Sequence, residues 1–430
     1  MKLLIFIILL INFYSIESFR LLSNNKHFKS SKKVSSHNKD AIKLNDNTVL
    51  CPVFDDVCDN TGITLTRYMV ETVIANPQLR EMESLIMAIQ TACKTISREV
   101  ERASITGITG LEAGGGSVNV QGEEQKRLDV ITNDIMKKAL RFSGKVGTLA
   151  SEEEDAPVGI DGEVAKKSDK YKGMRGDSKL KTTQFDSDVL VEELGGKYVA
   201  VFDPLDGSSN VDAGIPTGTI FGIFTEDPDA VCSLDDDSNG VNCLLNTLQP
   251  GTSLVASGYC LYSSSTFLCL TLGNGVNIFT LDRSIGEFVL THQNVKIPKR
   301  GAIYSFNEAN RLEWEKPLQK YIHDLQQGTN ESKKTYSSRY IGSMVGDVHR
   351  TLLYGGIFGY PATTKNPNGK LRLLYEAAPM SFLIEQAAGK STTGATRIME
   401  IKPEQVHQRV PCMLGSPDDI DEMLKYYANK

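Results

Sequence analysis

The run Asp203-Pro204-Leu205-Asp206-Gly207-Ser208-Ser209-Asn210 puts two carboxylates, a proline, a glycine and three small polar residues side by side. Carboxylate oxygens of this kind suit Mg²⁺, and neighbouring amides and hydroxyls suit a phosphate. Pro204 removes a backbone donor and stiffens the turn, while Gly207 permits close backbone approach. Three further acidic stretches lie at the ends of expected strands or helices: 123–129, with Glu123 and Asp129; Glu152-Glu153; and Glu376. Mg²⁺ completes its octahedral shell with water and substrate phosphate, and two or more such ions can polarise a phosphoryl group, activate a water and stabilise the leaving oxygen. That chemistry needs carboxylates converging from distant parts of the chain. Taken singly, each acidic residue reads more often as a solvated charge, and an Asp-Gly strand end as ordinary punctuation.

The elements that must position these residues can be read from periodicity. Tyr198-Val199-Ala200-Val201-Phe202 is an apolar run that predicts a buried strand leading into the octet. Helices are expected over 64–73, 80–103 and 130–142; in the second, Leu85, Ile86, Ile89, Cys93, Ile96 and Val100 recur at helical spacing. A short strand at 146–150 delivers Glu152 and Glu153. Segments 253–272 and 276–290 alternate like sheet strands. Further on, the pattern predicts strands at 302–306 and 355–360 and helices within 308–325, at 345–353, within 371–388 and at 420–427. Strands and helices alternate throughout, so the class is α/β with layered sheets. A boundary is expected near 295–300, dividing 61–295 from 296–430. Segments 161–188 and 226–242 are polar and read as exposed loops, the second with Cys232 inside it and Cys243 just past its end.

At 430 residues the chain has room for about two domains, and 40% apolar with 23% charged residues is ordinary globular composition. A net charge of -6 gives no reason to expect nucleic acid as a partner. The 8 cysteines show no zinc spacing and are too sparse for a disulfide scaffold. Residues 1–60 read as a targeting presequence and linker. Lys2 precedes an apolar core over 3–11, too short to span a bilayer, so no membrane association is expected of the mature form. A Lys- and Ser-rich stretch over 20–43 follows. Signal then transit character resembles the two-part presequence of proteins sent to complex plastids, with Ser18-Phe19 at the junction. The alternatives are a plain secretory signal or, with no targeting, the cytoplasm.

The octet, together with Gly122, Leu128-Asp129, Ser151-Glu152-Glu153 and Gly369-Lys370-Leu371-Arg372-Leu373-Leu374-Tyr375-Glu376, resembles the class 1 fructose-1,6-bisphosphatases. Tyr262-Ser263-Ser264-Ser265 and Ile303-Tyr304-Ser305-Phe306-Asn307-Glu308 resemble their chloroplast form. The similarity runs from about residue 64 to the C-terminus. It implies a layered αβαβα sandwich made of two phosphatase domains, and Mg²⁺-dependent hydrolysis of the 1-phosphate of fructose 1,6-bisphosphate, in the Calvin cycle or gluconeogenesis. By the same resemblance Glu123, Glu152, Asp203, Asp206, Glu376 and the carbonyl of Leu205 form the metal set, Glu123 standing where the family often has Asp. Asp129 and Glu153 match the pair that positions and deprotonates the attacking water. Gly207, Ser208 and Ser209 match the cradle of the cleaved phosphate. Asn307, Arg339, Tyr340, Tyr360 and Lys370 match contacts to the sugar and the second phosphate, the arginine reaching in from a neighbouring subunit of a homotetramer. The alternatives are a sedoheptulose-1,7-bisphosphatase, an inositol-type phosphatase, or an inactive, redox-responsive relative.

The resemblance also bears on regulation. Cys232 and Cys243 match two of the three cysteines of the redox loop in the chloroplast form, which implies a reversible disulfide and thioredoxin as a partner; the third position is Leu248. The nucleotide-inhibition site of animal members has a Thr-Gly-Glu turn where this chain has Leu79-Arg80-Glu81, and Thr225 stands in place of a phosphate-binding arginine. Lys197 and Tyr198 remain. AMP inhibition is therefore expected to be weak or absent.

Overall fold

A computed structural model of the protein describes residues 49–50, 52, 62–108, 126–154, 158–159, 196–226 and 246–428. Glu123, Cys232, Cys243, the presequence and the 161–188 segment lie outside the described residues. The first part carries helices α1 (Leu65–Ala75), α2 (Arg80–Thr106) and α3 (Arg127–Phe142). Strands β1 (Val146–Ser151), β2 (Val158–Gly159), β3 (Tyr198–Asp206), β4 (Thr217–Thr225), β5 (Leu254–Tyr262), β6 (Thr266–Thr271), β7 (Asn277–Asp282) and β8 (Glu287–His292) follow. They form one sheet in the order β2-β1-β3-β4-β5-β6-β7-β8, with β1 and β3 parallel and the rest antiparallel.

The second part begins with β9 (Ile303–Ser305), α4 (Lys316–Gln327), β10 (Ser337–Ser338), α5 (Met344–Tyr354) and β11 (Ile357–Tyr360). It continues with β12 (Leu371–Arg372), α6 (Ala378–Gln386), β13 (Lys390–Thr392), β14 (Arg409–Val410), β15 (Cys412–Gly415) and α7 (Pro417–Ala428). A second sheet has the order β10-β9-β11-β15-β13, and β12 pairs with β14 alone. All these elements belong to one compact unit, Thr48–Lys430.

Strand alternation sorts the apolar residues into layers. On β3, Ala200 and Phe202 face a core shared with Leu65 of α1, Ile89 of α2 and Met136 of α3. Val199 and Val201 face the opposite core, shared with Val348 of α5 and Leu383 of α6. The second sheet divides in the same way. Phe358 and Leu414 join that central core, while Ile357 and Met413 face Leu318 of α4 and Met423 of α7. A period of two buries both faces of each sheet, so the molecule is an αβαβα sandwich, as expected. Among the described residues no helix is long and apolar enough to cross a membrane.

Three departures from the sequence expectation bear on the site. The strand predicted to stop at Phe202 runs on through Pro204 to Asp206. Helix α3 starts at Arg127 rather than 130, so Asp129 sits in its first turn. And Cys412–Gly415, an interior strand of the second sheet, was not predicted: at four residues it is too short to show a clear period.

Candidate active site

The geometry starts from an irregularity in β3. Asp203 pairs with Ile220 of β4 and Asp206 with Gly218, so three steps along β3 match two along β4. In a regular strand, residues three apart point to opposite faces. The extra residue of the bulge reverses that parity and lets both carboxylates serve one site. Pro204 has no N–H to lose from the ladder there. Inside the turn, the Leu205 N–H donates to Asp203 Oδ1 at 3.0 Å. Gly207 follows with φ of 76°, a left-handed conformation that suits glycine. Ser208–Ala213 then forms a short 3₁₀ turn in which Ser209 is exposed.

Glu376 arrives from the other half of the chain, on a single π-helical turn, Leu373–Ala377, at the head of α6. Carboxylate oxygens of Asp203, Asp206 and Glu376 all lie within 4.8 Å of one another. Glu152, at the end of β1, is hydrogen-bonded to Asp203 and ion-paired with Arg372 Nη2 at 3.1 Å. The Arg372 guanidinium also lies 3.9 Å from Glu376, whose Oε2 accepts the Arg372 N–H at 2.5 Å. Burial, then the neighbouring charges of Glu152, Asp206 and Glu376, push the Asp203 carboxyl well above the usual range. Burial also raises Glu376, against the opposing pull of Arg372. Desolvation raises Asp206, although the Val345 N–H at 3.2 Å and Ser343 Oγ at 3.3 Å hold it back. Helix α5 reaches Asp206 because Gly218 has no side chain: a Cβ there would lie 2.7 Å from Val345.

These are groups whose charge is opposed by their surroundings, built only of oxygen donors and gathered at one point. A divalent cation fits that donor set, and its charge would remove the repulsion. Asp129 lies nearby. Its Oδ2 accepts the Lys126 N–H at 2.9 Å, and it hydrogen-bonds to Ser208. Burial lifts it to about 6, helped by the charge of Glu152. The backbone N–H of Glu153 donates to Ser151 Oγ at 3.3 Å. Ser151 is in turn fixed to Asn133 of α3 at 2.8 Å.

A second locus is a cavity of about 260 Å³ lined by Asn307, Trp314, Tyr360 and Lys370, among others. Lys370 Nζ lies 6.0 Å from the centre of the Tyr360 ring. The Tyr340 hydroxyl donates to that of Tyr360 at 3.3 Å. Four residues named from the sequence, Asn307, Tyr340, Tyr360 and Lys370, are thus brought together. Arg339 is not: it is exposed, and its guanidinium donates to the carbonyl of Ser338 at 2.9 Å. Arg372 carried no role in the sequence reading. An arginine four residues before a glutamate looks like a helical surface pair, and only its burial shows otherwise.

Two domain families match the chain: Fructose-1-6-bisphosphatase, N-terminal domain, over 63–172 and 183–293, and Fructose-1-6-bisphosphatase, C-terminal domain, over 297–428. The chloroplastic fructose-1,6-bisphosphatase of Spinacia oleracea is 46% identical over 371 residues, 85% of this chain and 81% of that one. The chloroplastic enzyme of Triticum aestivum is 47% identical over 377 residues, 86% and 82% of the two chains. The holo-form crystal structure of Leishmania major fructose-1,6-bisphosphatase superposes with a TM-score of 0.71 at 40% identity, covering 86% of this chain and 99% of the other. The layered fold, the acidic centre and these matches agree, and the chain belongs to the fructose-1,6-bisphosphatase family of sugar-bisphosphate phosphatases.

Proposed function

We propose that the protein hydrolyses the 1-phosphate of fructose 1,6-bisphosphate with Mg²⁺ as its metal. The observation that carries this reading is the convergence of Asp203, Asp206 and Glu376, beside Glu152, at the mouth of the Gly207 turn. These four, with Glu123 and the Leu205 carbonyl, would hold the metal. A bound divalent cation would offset the negative charge of the phosphoryl oxygens and make an adjacent water more acidic.

The chain's own residues do the rest. Asp129 is ionised above a pH of about 6 and can take a proton from the attacking water, with Glu153 as its partner in that role. Gly207, Ser208 and Ser209 orient the reacting phosphate. Arg372 holds Glu152 and Glu376 in place before substrate arrives. Asn307, Tyr360 and Lys370 take the sugar and second phosphate in their cavity, with Tyr340 beside Tyr360. Arg339, exposed on its own subunit, would complete the neighbour's site in a homotetramer. Domains at 61–295 and 296–430 are part of the same reading, supported by the 8-stranded sheet lying wholly before 296 and the 5-stranded sheet wholly after it. Plastid targeting through residues 1–60 is supported by the chloroplastic relatives. A Cys232–Cys243 disulfide reduced by thioredoxin belongs to the same reading and rests on the likeness of that loop to the chloroplast form.

The test is the identity of the products. Incubation with fructose 1,6-bisphosphate, followed by phosphorus NMR, should show inorganic phosphate and fructose 6-phosphate. Fructose 1-phosphate as the product, or faster turnover of sedoheptulose 1,7-bisphosphate, would refute the assignment.

A further inference from the structure

Asp347 of α5 is a fully buried carboxylate outside the Asp203, Asp206 and Glu376 cluster, though its charge acts on Asp206. Its Oδ1 accepts from Ser305 Oγ of β9 at 2.7 Å and from Arg350 Nη2 at 2.8 Å. The Ile341 N–H reaches both carboxylate oxygens, at 3.1 and 3.0 Å. The Gly342 N–H reaches Oδ2 at 3.0 Å. A carboxylate offers about four acceptor sites, and here they are filled by donors from β9, from α5 and from the 341–342 backbone. It has no lone pair left for an ion. What it holds is the segment directly after Arg339 and Tyr340.

The same segment is tied down from the metal side. Asn210 Nδ2, in the octet, donates to the Gly342 carbonyl at 3.1 Å. Ser343 Oγ and the Val345 N–H donate to Asp206. Gly207 lies beside this segment: a Cβ on it would be in van der Waals contact with Ser343, 3.4 Å from its Cβ. Gly342 takes φ of 85°, which lets the chain turn between its two anchors. Residues 340–345 therefore join the Tyr340 hydroxyl, which bonds to Tyr360 of the cavity lining, to Asp206, in the acidic centre, and Asp347 removes the slack between them.

We propose that Asp347 is a positioning residue for the second phosphate of the substrate: by clamping the 341 and 342 amides it fixes the separation of the two phosphate-holding ends of the site, and so sets the preference for a bisphosphate over a monophosphate. The proposal rests on the reading that Tyr340, Tyr360 and Lys370 hold the phosphate that is not cleaved. The physical reason is preorganisation. A substrate gripped at both ends benefits from the second grip only when the spacing is already set, because a loop ordered on binding spends that interaction on its own entropy.

The experiment compares kcat/KM for fructose 1,6-bisphosphate and for fructose 1-phosphate, in wild type, Asp347→Asn and Ser305→Ala, all at saturating Mg²⁺. Asn keeps one acceptor oxygen for the two amides, and Ser305→Ala removes one donor to Asp347 without touching the loop. The ratio of the two kcat/KM values should fall roughly tenfold in Asp347→Asn, through a rise in KM for the bisphosphate, and by a smaller factor in Ser305→Ala. A general loss of folded protein or of metal-site geometry lowers both substrates together and leaves the ratio unchanged. An unchanged ratio in Ser305→Ala and in whatever folded Asp347→Asn is obtained overturns the proposal. Failure of the underlying reading looks different: wild type itself would then show no preference for the bisphosphate.

Discussion

Mild acid is expected to weaken the central core through His349 of α5. The ring is 8% exposed and lies 5.0 Å, centre to centre, from the ring of Phe267. Its Nδ1 pairs with the Tyr259 hydroxyl at 2.8 Å. Burial, with a smaller push from the charge of His292, lowers the imidazole from an ordinary 6.5 to about 4. Between those two values the unfolded chain binds a proton that the folded chain refuses. The stabilisation is therefore fully present above 6.5 and is lost as pH falls through 6.5 towards 4. At about 1.4 kcal/mol per pH unit the loss amounts to about 3 kcal/mol. His349→Gln removes the titration while offering Tyr259 an amide oxygen. Guanidinium unfolding followed by fluorescence of Trp314, the 1 tryptophan and itself buried, gives stability at each pH. Other carboxylates titrate in both proteins, so the informative quantity is the difference between them. Wild type should lose about 3 kcal/mol more than the variant between pH 7 and pH 4. Parallel curves would refute the reasoning.

The remaining expectations concern catalysis and control. Because burial holds Asp129 at about 6, kcat/KM should fall as pH drops through 6 and the carboxylate takes up a proton. Asp129→Asn should lower activity by about 10²–10⁴-fold and abolish that acid limb; a limb that persists in the variant assigns it elsewhere. Oxidised wild type should gain activity with reduced thioredoxin while Cys232→Ser does not, and equal activity throughout would remove the redox loop from the account. Titration with AMP should give little inhibition, since Lys197 is occupied by Glu81 at 3.9 Å and Thr225 offers no cation; half-inhibition at micromolar AMP would contradict this.

The layers and most elements of the fold were legible because apolar periodicity is a local property. The octet announced its chemistry for the same reason, since the residues that need to be adjacent are adjacent. What could not be read was convergence. Asp203 and Glu376 meet only after two halves of the chain fold against each other. Asp203 and Asp206 share a site through a bulge that shows only as a mismatch with β4. Resemblance to a family supplied that convergence where periodicity could not. Arg372 and Asp347 were missed because a charged residue in an apolar stretch does not reveal its partners. Asp347 in particular is satisfied by backbone amides at 341 and 342, which carry no signal in the sequence.

The most direct test of the central claim is phosphate release from fructose 1,6-bisphosphate by wild type and Glu376→Gln, each with Mg²⁺ and with a chelator. If the converging carboxylates form a metal-dependent hydrolytic centre, wild type releases phosphate with Mg²⁺ and stops in chelator, and Glu376→Gln is slow at any Mg²⁺ concentration wild type needs. Undiminished release in chelator, or a variant as active as wild type, would contradict it.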